Sequence, residues 1–177
     1  MKFFISKLYI WFDKGIKPRV ITFENNRVNV ITGSSSTGKS NIYAIIDYCL
    51  LSGRPNIVFP VINENARWYG LEFNVGDKFF AIARKRPTVD VVPPELYLQY
   101  DPFPEPFYPT SCNSHVNDAR RELDRAFGYK SNKELFYRSS FVFNALTENI
   151  ITSPYDFLNY KFSYAAAVRP SRTRVAP

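Results

Sequence analysis

The sequence is poor in the residues that build redox, metal and histidine chemistry. Of its 177 residues only two are cysteine, Cys49 and Cys112, far apart and in no CxxC spacing. That excludes a disulfide framework or a cysteine zinc site as the organising feature and suits a reducing compartment. Cys49 falls on an apolar helical stripe and is expected in the core. His115 is the only histidine, so a histidine triad or a multi-histidine metal site would rest on it alone; a surface or capping role is the expectation. No apolar run approaches the roughly 20 residues that a membrane helix needs. The segment MKFFISKLYIWFDKG begins like a secretory leader, but Lys7, Asp13 and Lys14 interrupt it and no small-residue cleavage site follows. It reads as a strand of a cytoplasmic protein without a membrane partner.

What is present is apolar and aromatic surface. The chain is 45% hydrophobic and 17% aromatic, enough to build a core for one domain or one large lobe. The formal charge is +7; without Arg169, Arg172 and Arg174 near the C-terminus the rest carries +4. So modest an excess names no partner by itself.

Periodicity predicts the elements. Residues 3–12 form an aromatic β-rich run. Val20, Ile21 and Phe23, then Val28, Val30 and Ile31, predict two short strands around a turn at Glu24-Asn25-Asn26-Arg27. From Lys39 onwards Ile42, Ile45, Ile46, Cys49 and Leu50 recur on one helical face, with Gly53 and Pro55 as the stop. Residues 67–85 predict a hairpin turning at Gly76-Asp77. Seven of the 13 prolines lie between Pro87 and Pro109, which predicts an irregular Pro/aromatic insertion over 87–112. Ser114 to Phe127 reads as a helix capped by Ser114 or Asn117 and stopped by Gly128, with Arg120, Arg121 and Arg125 on a solvated face. Phe141-Val142-Phe143 is strand-like and a loop is expected around Thr152-Ser153-Pro154. The domain is expected to span 1–162, followed by a disordered tail over 163–177.

One motif carries chemistry. Gly33-Ser34-Ser35-Ser36-Thr37-Gly38-Lys39-Ser40 fits G-x-x-x-x-G-K-[ST] at every fixed position, with Asn41 following. Gly33 lets the chain turn out of the preceding strand, and Gly38 lets backbone approach phosphate with no Cβ in the way. Successive N–H groups from Ser35 to Ser40 form an anion nest, reinforced by the dipole of the helix that follows. Lys39 supplies an ammonium for the β- and γ-phosphates, and the Ser40 hydroxyl a ligand for Mg²⁺. The apolar strand before and the amphipathic helix after are the context this motif requires. These residues, Gly33 through Asn41, are the expected binding site, with ATP and Mg²⁺ as cofactors.

Two strands and a turn come before this loop. FFISKLYIWF, followed by VITFENNRVNVITGSSSTGKSNIYAIIDYCL, resembles the N-terminal lobe of the SMC-like and double-strand-break-repair ATPases, an ABC-type branch of the P-loop NTPases with an AAA-type ATP-binding domain. The resemblance covers about residues 3–85 and fades over 135–162. It implies an α/β P-loop lobe with N-terminal antiparallel strands, serving DNA repair, chromosome maintenance or defence, and DNA as a partner. Ser35 and Ser36 stand where the family usually has Asn and Gly. No glutamine occupies the family's Q-loop position; Asn144 and Glu148 are the nearest candidates. The apolar Asp-Glu strand and the LSGG signature that the family needs for hydrolysis are missing from the sequence. Ala44-Ile45-Ile46-Asp47 and Leu51-Ser52-Gly53-Arg54 mimic them, but both belong to the helix after the loop and its end. The expectation is an incomplete lobe that binds nucleotide, is not hydrolysis-competent alone, and pairs with a C-terminal ATPase half or a second copy. Two alternatives stay open: a small metabolite kinase using Arg120, Arg121 and Arg125 as a lid, and a non-catalytic interaction module built on the Pro/aromatic loop at 93–109.

Overall fold

A computed structural model describes residues 3–25, 27–32, 39–52, 57, 65–88, 90–128 and 150–152. Its framework is a six-stranded sheet in the order β2-β1-β4-β5-β6-β7, antiparallel at every pairing. The strands are β1 (Phe3–Trp11), β2 (Arg19–Thr22), β4 (Trp68–Val75), β5 (Lys78–Lys85), β6 (Glu95–Gln99) and β7 (Ser114–His115). Between β2 and β4 lie β3 (Asn29–Ile31) and the helix α1 (Lys39–Cys49); α2 (Val116–Ala126) follows β7, and β8 (Ile150–Thr152) closes the series. β3 and β8 pair in parallel, Asn29 opposite Ile150 and Ile31 opposite Thr152. The protein is therefore mixed α/β. No helix among the described residues is long and apolar enough to cross a membrane.

The β4–β5 hairpin turns where Gly-Asp directs it. Gly76 takes φ 61°, a conformation that costs a residue without a Cβ little, at the first central position of a two-residue turn. Alternation along the strands then separates two cores. Leu8 and Ile10 of β1, Tyr69, Leu71 and Phe73 of β4, and Phe80 and Ile82 of β5 face one side, where they pack with Ile42, Ile45, Ile46 and Cys49 of α1 and Ala119 and Leu123 of α2. Tyr9, Trp11, Trp68, Ala81 and Ala83 face the other side.

That second face is covered by the Pro-rich segment. Phe103 is buried against it, with Phe107, Tyr108 and Cys112 packed alongside. Phe103 meets the edges of Tyr9 and Trp11 at ring distances of 5.3 and 5.4 Å and stacks on Phe107 at 4.7 Å. Hydrogen bonds hold the cover down. Trp11 Nε1 donates to the Phe107 carbonyl (2.9 Å), Tyr108 to the Phe12 carbonyl (3.0 Å), and the Phe103 N–H to the buried Glu72 carboxylate (2.8 Å), which also accepts from Tyr9 (3.0 Å). The Glu105–Pro106 peptide is cis.

Several expectations are corrected. The segment over 87–112 is not irregular throughout: β6 lies inside it, paired to β5, because Leu96 and Leu98 alternate with Tyr97 and so serve both cores. α2 is capped by His115, not by Ser114 or Asn117. The His115 Nδ1 accepts from the Asn117 N–H at 3.2 Å, so of the two roles open to the one histidine, surface or cap, it takes the cap, in place of its neighbours. Gly128 follows the C-cap with φ 73°. α1 ends at Cys49, ahead of Gly53, and the chain turns away through Leu51 with φ 71°. Thr152 closes β8 where a loop was expected. Phe141-Val142-Phe143 and the tail over 163–177 lie outside the described residues.

Candidate nucleotide-binding site

The predicted loop is framed by elements that the structure describes. Ahead of it, Asn29 pins the turn that leads into β3. Its side chain accepts from the Glu24 N–H (2.8 Å) and donates to the Glu24 and Arg27 carbonyls (2.9 and 3.2 Å). β3 runs to Ile31, Thr32 follows, and α1 opens at Lys39. Gly33, Ser34, Ser35, Ser36, Thr37 and Gly38 lie outside the described residues. Lys39 and Ser40 occupy the first turn of α1, and Asn41, next in line, is buried at 6% exposure.

The first turn of α1 contains no acidic residue. Its first four N–H groups have no partners within the helix, and the positive end of the dipole lies there. A helix of eleven residues opening on Lys-Ser, with no acidic residue in its own first turn, presents a positive end of the kind that attracts anions.

The other end of α1 is anchored more elaborately than its sequence suggests. The Leu50 N–H donates to Ile46, the Leu51 N–H to Tyr48 and the Ser52 N–H to Asp47, the Schellman pattern that normally places glycine at the residue with positive φ. Here that residue is Leu51. Arg84 of β5, 1% exposed, donates to the Tyr48 carbonyl (2.6 Å), the Ser52 carbonyl (3.4 Å) and the Pro93 carbonyl (3.3 Å). Its guanidinium lies 3.8 Å from the Tyr48 ring centre. Arg120 of α2 donates to the Leu51 carbonyl at 3.0 Å, and Tyr48 to the Lys85 carbonyl at 2.7 Å. Burial raises the Tyr48 hydroxyl to about 12 against the opposing pull of Arg84, and raises the Cys49 thiol to about 12. Burial also raises the Asp47 carboxyl, opposed by a hydrogen bond with Ser52.

Arg120 is thus not on a purely solvated face. Arg121 and Arg125 are exposed and pair within α2, Arg121 with Asp118 and Arg125 with Glu122. Ala44-Ile45-Ile46-Asp47 lies within α1, and Leu51 and Ser52 form that helix's end. Asn144 and Glu148 lie outside the described residues. Reasoning from sequence missed Arg84, although its signal was present: Phe80, Ile82 and Arg84 alternate toward one face, so an arginine occupies an inward position of a central strand.

No protein-family model matches this sequence, and no curated protein matches it.

Proposed function

We propose that this chain binds the triphosphate of a nucleotide, ATP with Mg²⁺ in the first instance, at the turn between β3 and α1. The observation that carries the reading is the frame around G-x-x-x-x-G-K-S: a strand ending at Ile31 and a helix opening at Lys39 with no acidic residue in its first turn. In this reading main-chain amides from Ser35 to Ser40 would hold the phosphate oxygens, the Lys39 ammonium would pair with the β- and γ-phosphates, and the Ser40 hydroxyl would serve as a ligand for the magnesium ion. Bound magnesium would neutralise charge between those two phosphates.

More particularly, we propose an SMC-like P-loop lobe, of the ABC-type branch that serves DNA repair, chromosome maintenance or defence. The antiparallel strands leading to the loop and the packing of α1 on β4 and β5 support this. So does the parallel β3–β8 pair, since parallel sheets are normally buried on both faces. Val28, just ahead of β3, and Val30 within it are 58% and 61% exposed. A further ATPase half would cover them and supply the Asp-Glu strand and signature that this sequence lacks; a second copy would cover them only. Alone, the chain binds nucleotide and turns it over little or not at all. The kinase alternative has less support, because Arg121 and Arg125 are engaged by Asp118 and Glu122. The interaction-module alternative is weakened by the inward burial of Phe103.

Titration of the purified chain with Mg-ATP and a fluorescent ATP analogue tests the reading. The wild type should bind and Lys39→Ala should lose at least about tenfold in affinity, the order expected from removing a charged contact to phosphate. Equal binding by Lys39→Ala, or none by the wild type, overturns it.

A further inference from the structure

The end of α1 remote from the loop carries two features that helix stability alone does not call for. A leucine, not glycine, sits at positive φ (71°), a conformation that crowds the Cβ of an L-residue against its backbone. A fully buried guanidinium also makes its bonds to carbonyls from three separate places: the last turn of α1, the segment after it, and the approach to β6. Arginine presents a rigid planar fork that satisfies several acceptors at fixed angles. Arg120 adds a second tie, from α2 to the Leu51 carbonyl. Together the two side chains fix the position of α1 along its own axis against both the sheet and α2. The helix spans about 16 Å at 1.5 Å per residue, and Lys39 and Ser40 stand at its opposite end.

We propose that Arg84 and Arg120 are positioning residues for the triphosphate: they hold the phosphate-facing end of α1 in register and couple its occupancy to the packing of α2. The proposal rests on the nucleotide reading above. A helix free to shift along its axis must be immobilised when phosphate binds, and the apparent affinity falls by that cost. With the helix tethered the cost is already met. Coupling is reciprocal, so phosphate at Lys39 must also tighten the far end.

Two measurements test this, with Mg-ATP and inorganic tripolyphosphate as probes. First, Arg84→Met should bind both probes about fivefold more weakly, at the lower end of usual coupling strengths. The factor should be equal for the two, because the effect acts on phosphate and not on the nucleoside. Arg84→Lys, which restores the charge without the fork, should recover only part of the loss. Phe103→Leu, on the opposite face of the sheet, should lower the melting temperature and leave both affinities unchanged. Second, hydrogen exchange of the Leu51 and Ser52 amides in the wild type should slow by a similar factor when either probe binds.

Should Arg84→Met fail to fold, Arg120→Met and the wild-type exchange measurement decide the matter. If the wild type binds and Lys39→Ala does not, yet Arg84→Met binds like the wild type or Leu51 and Ser52 exchange is unmoved, the coupling is overturned and the nucleotide reading stands. If the wild type binds neither probe, both fall.

Discussion

The two faces of the six-stranded sheet are covered by different means. On one, α1 and α2 bring regular apolar stripes onto Leu71, Phe73 and Ile82. On the other, a segment rich in proline lays Phe103, Phe107 and Tyr108 over Tyr9 and Trp11. A helix satisfies its own backbone and needs anchoring only at its ends, where Arg84 and Arg120 act on α1. A proline loop has few internal hydrogen bonds, so the sheet must supply partners: Glu72, Trp11 and the Phe12 carbonyl do so. The helical face presents helix ends, among them the one that the proposed function assigns to a ligand. The aromatic face turns its polar groups inward and serves to close the sheet.

Three substitutions or conditions would break or sharpen that contrast. The largest effect is expected from Phe103→Ala, which empties the centre of the aromatic face and should cost about 4 kcal/mol of unfolding free energy. Urea denaturation measures it. If the faces are independent, triphosphate affinity of the folded variant stays unchanged; a parallel loss of affinity would show that the lid and the helix face act together.

Gly70→Ala comes next. A Cβ at Gly70 would lie 2.4 and 2.5 Å from the Trp11 ring and 3.2 Å from the Ile82 carbonyl. The ring cannot swing aside without losing its bond to Phe107. A loss of about 3 kcal/mol is expected from such overpacking, read as a fall in melting temperature. Wild-type stability in this variant would mean that Trp11 is not held by the lid.

The smallest effect, absent at neutral pH, tests the helix face. Cys49 and Tyr48, ordinarily at 9.0 and 10.0, are raised to about 12 by burial. Their neutral forms are favoured by folding, so their contribution is complete below pH 9 and is lost as pH climbs from there toward 12. Denaturation midpoints should decline through that window. Cys49→Ala should make the decline above pH 9 shallower, because Cys112, whose thiol burial also raises, and then the tyrosines remain to ionise. An unchanged decline would place the alkaline weakness elsewhere, with Cys112 on the aromatic face as the next group to examine, since burial raises its thiol.

Much of the framework was legible from local pattern. Alternation marked β1, β4 and β5, Gly76-Asp77 marked their turn, and the 3.6-residue stripe of Ile42, Ile45, Ile46 and Cys49 marked α1 from its first residue. The errors have specific causes. β6 was hidden because prolines on both sides of Glu95–Gln99 outweigh five residues of alternation. His115 was passed over as the α2 cap because serine and asparagine are commoner there, whereas pairing of Glu95 with His115 places the helix start one residue later. The end of α1 was set at Gly53 because leucine rarely accepts the conformation that Leu51 adopts. Glu72 and Arg84 look alike in sequence, charged residues within apolar strands. Only the lid over one and the helix end over the other explain why each is buried.

Sequence by itself determined the G-x-x-x-x-G-K-S pattern, the helix that follows it and the hairpin at the centre of the sheet, because each depends on residues close together in the chain. Tertiary structure alone decided that the proline-rich segment closes the aromatic face and that Arg84 and Arg120 hold the end of α1. Those arrangements join residues dozens of positions apart. Their stability comes from desolvating polar groups whose partners no local pattern can name.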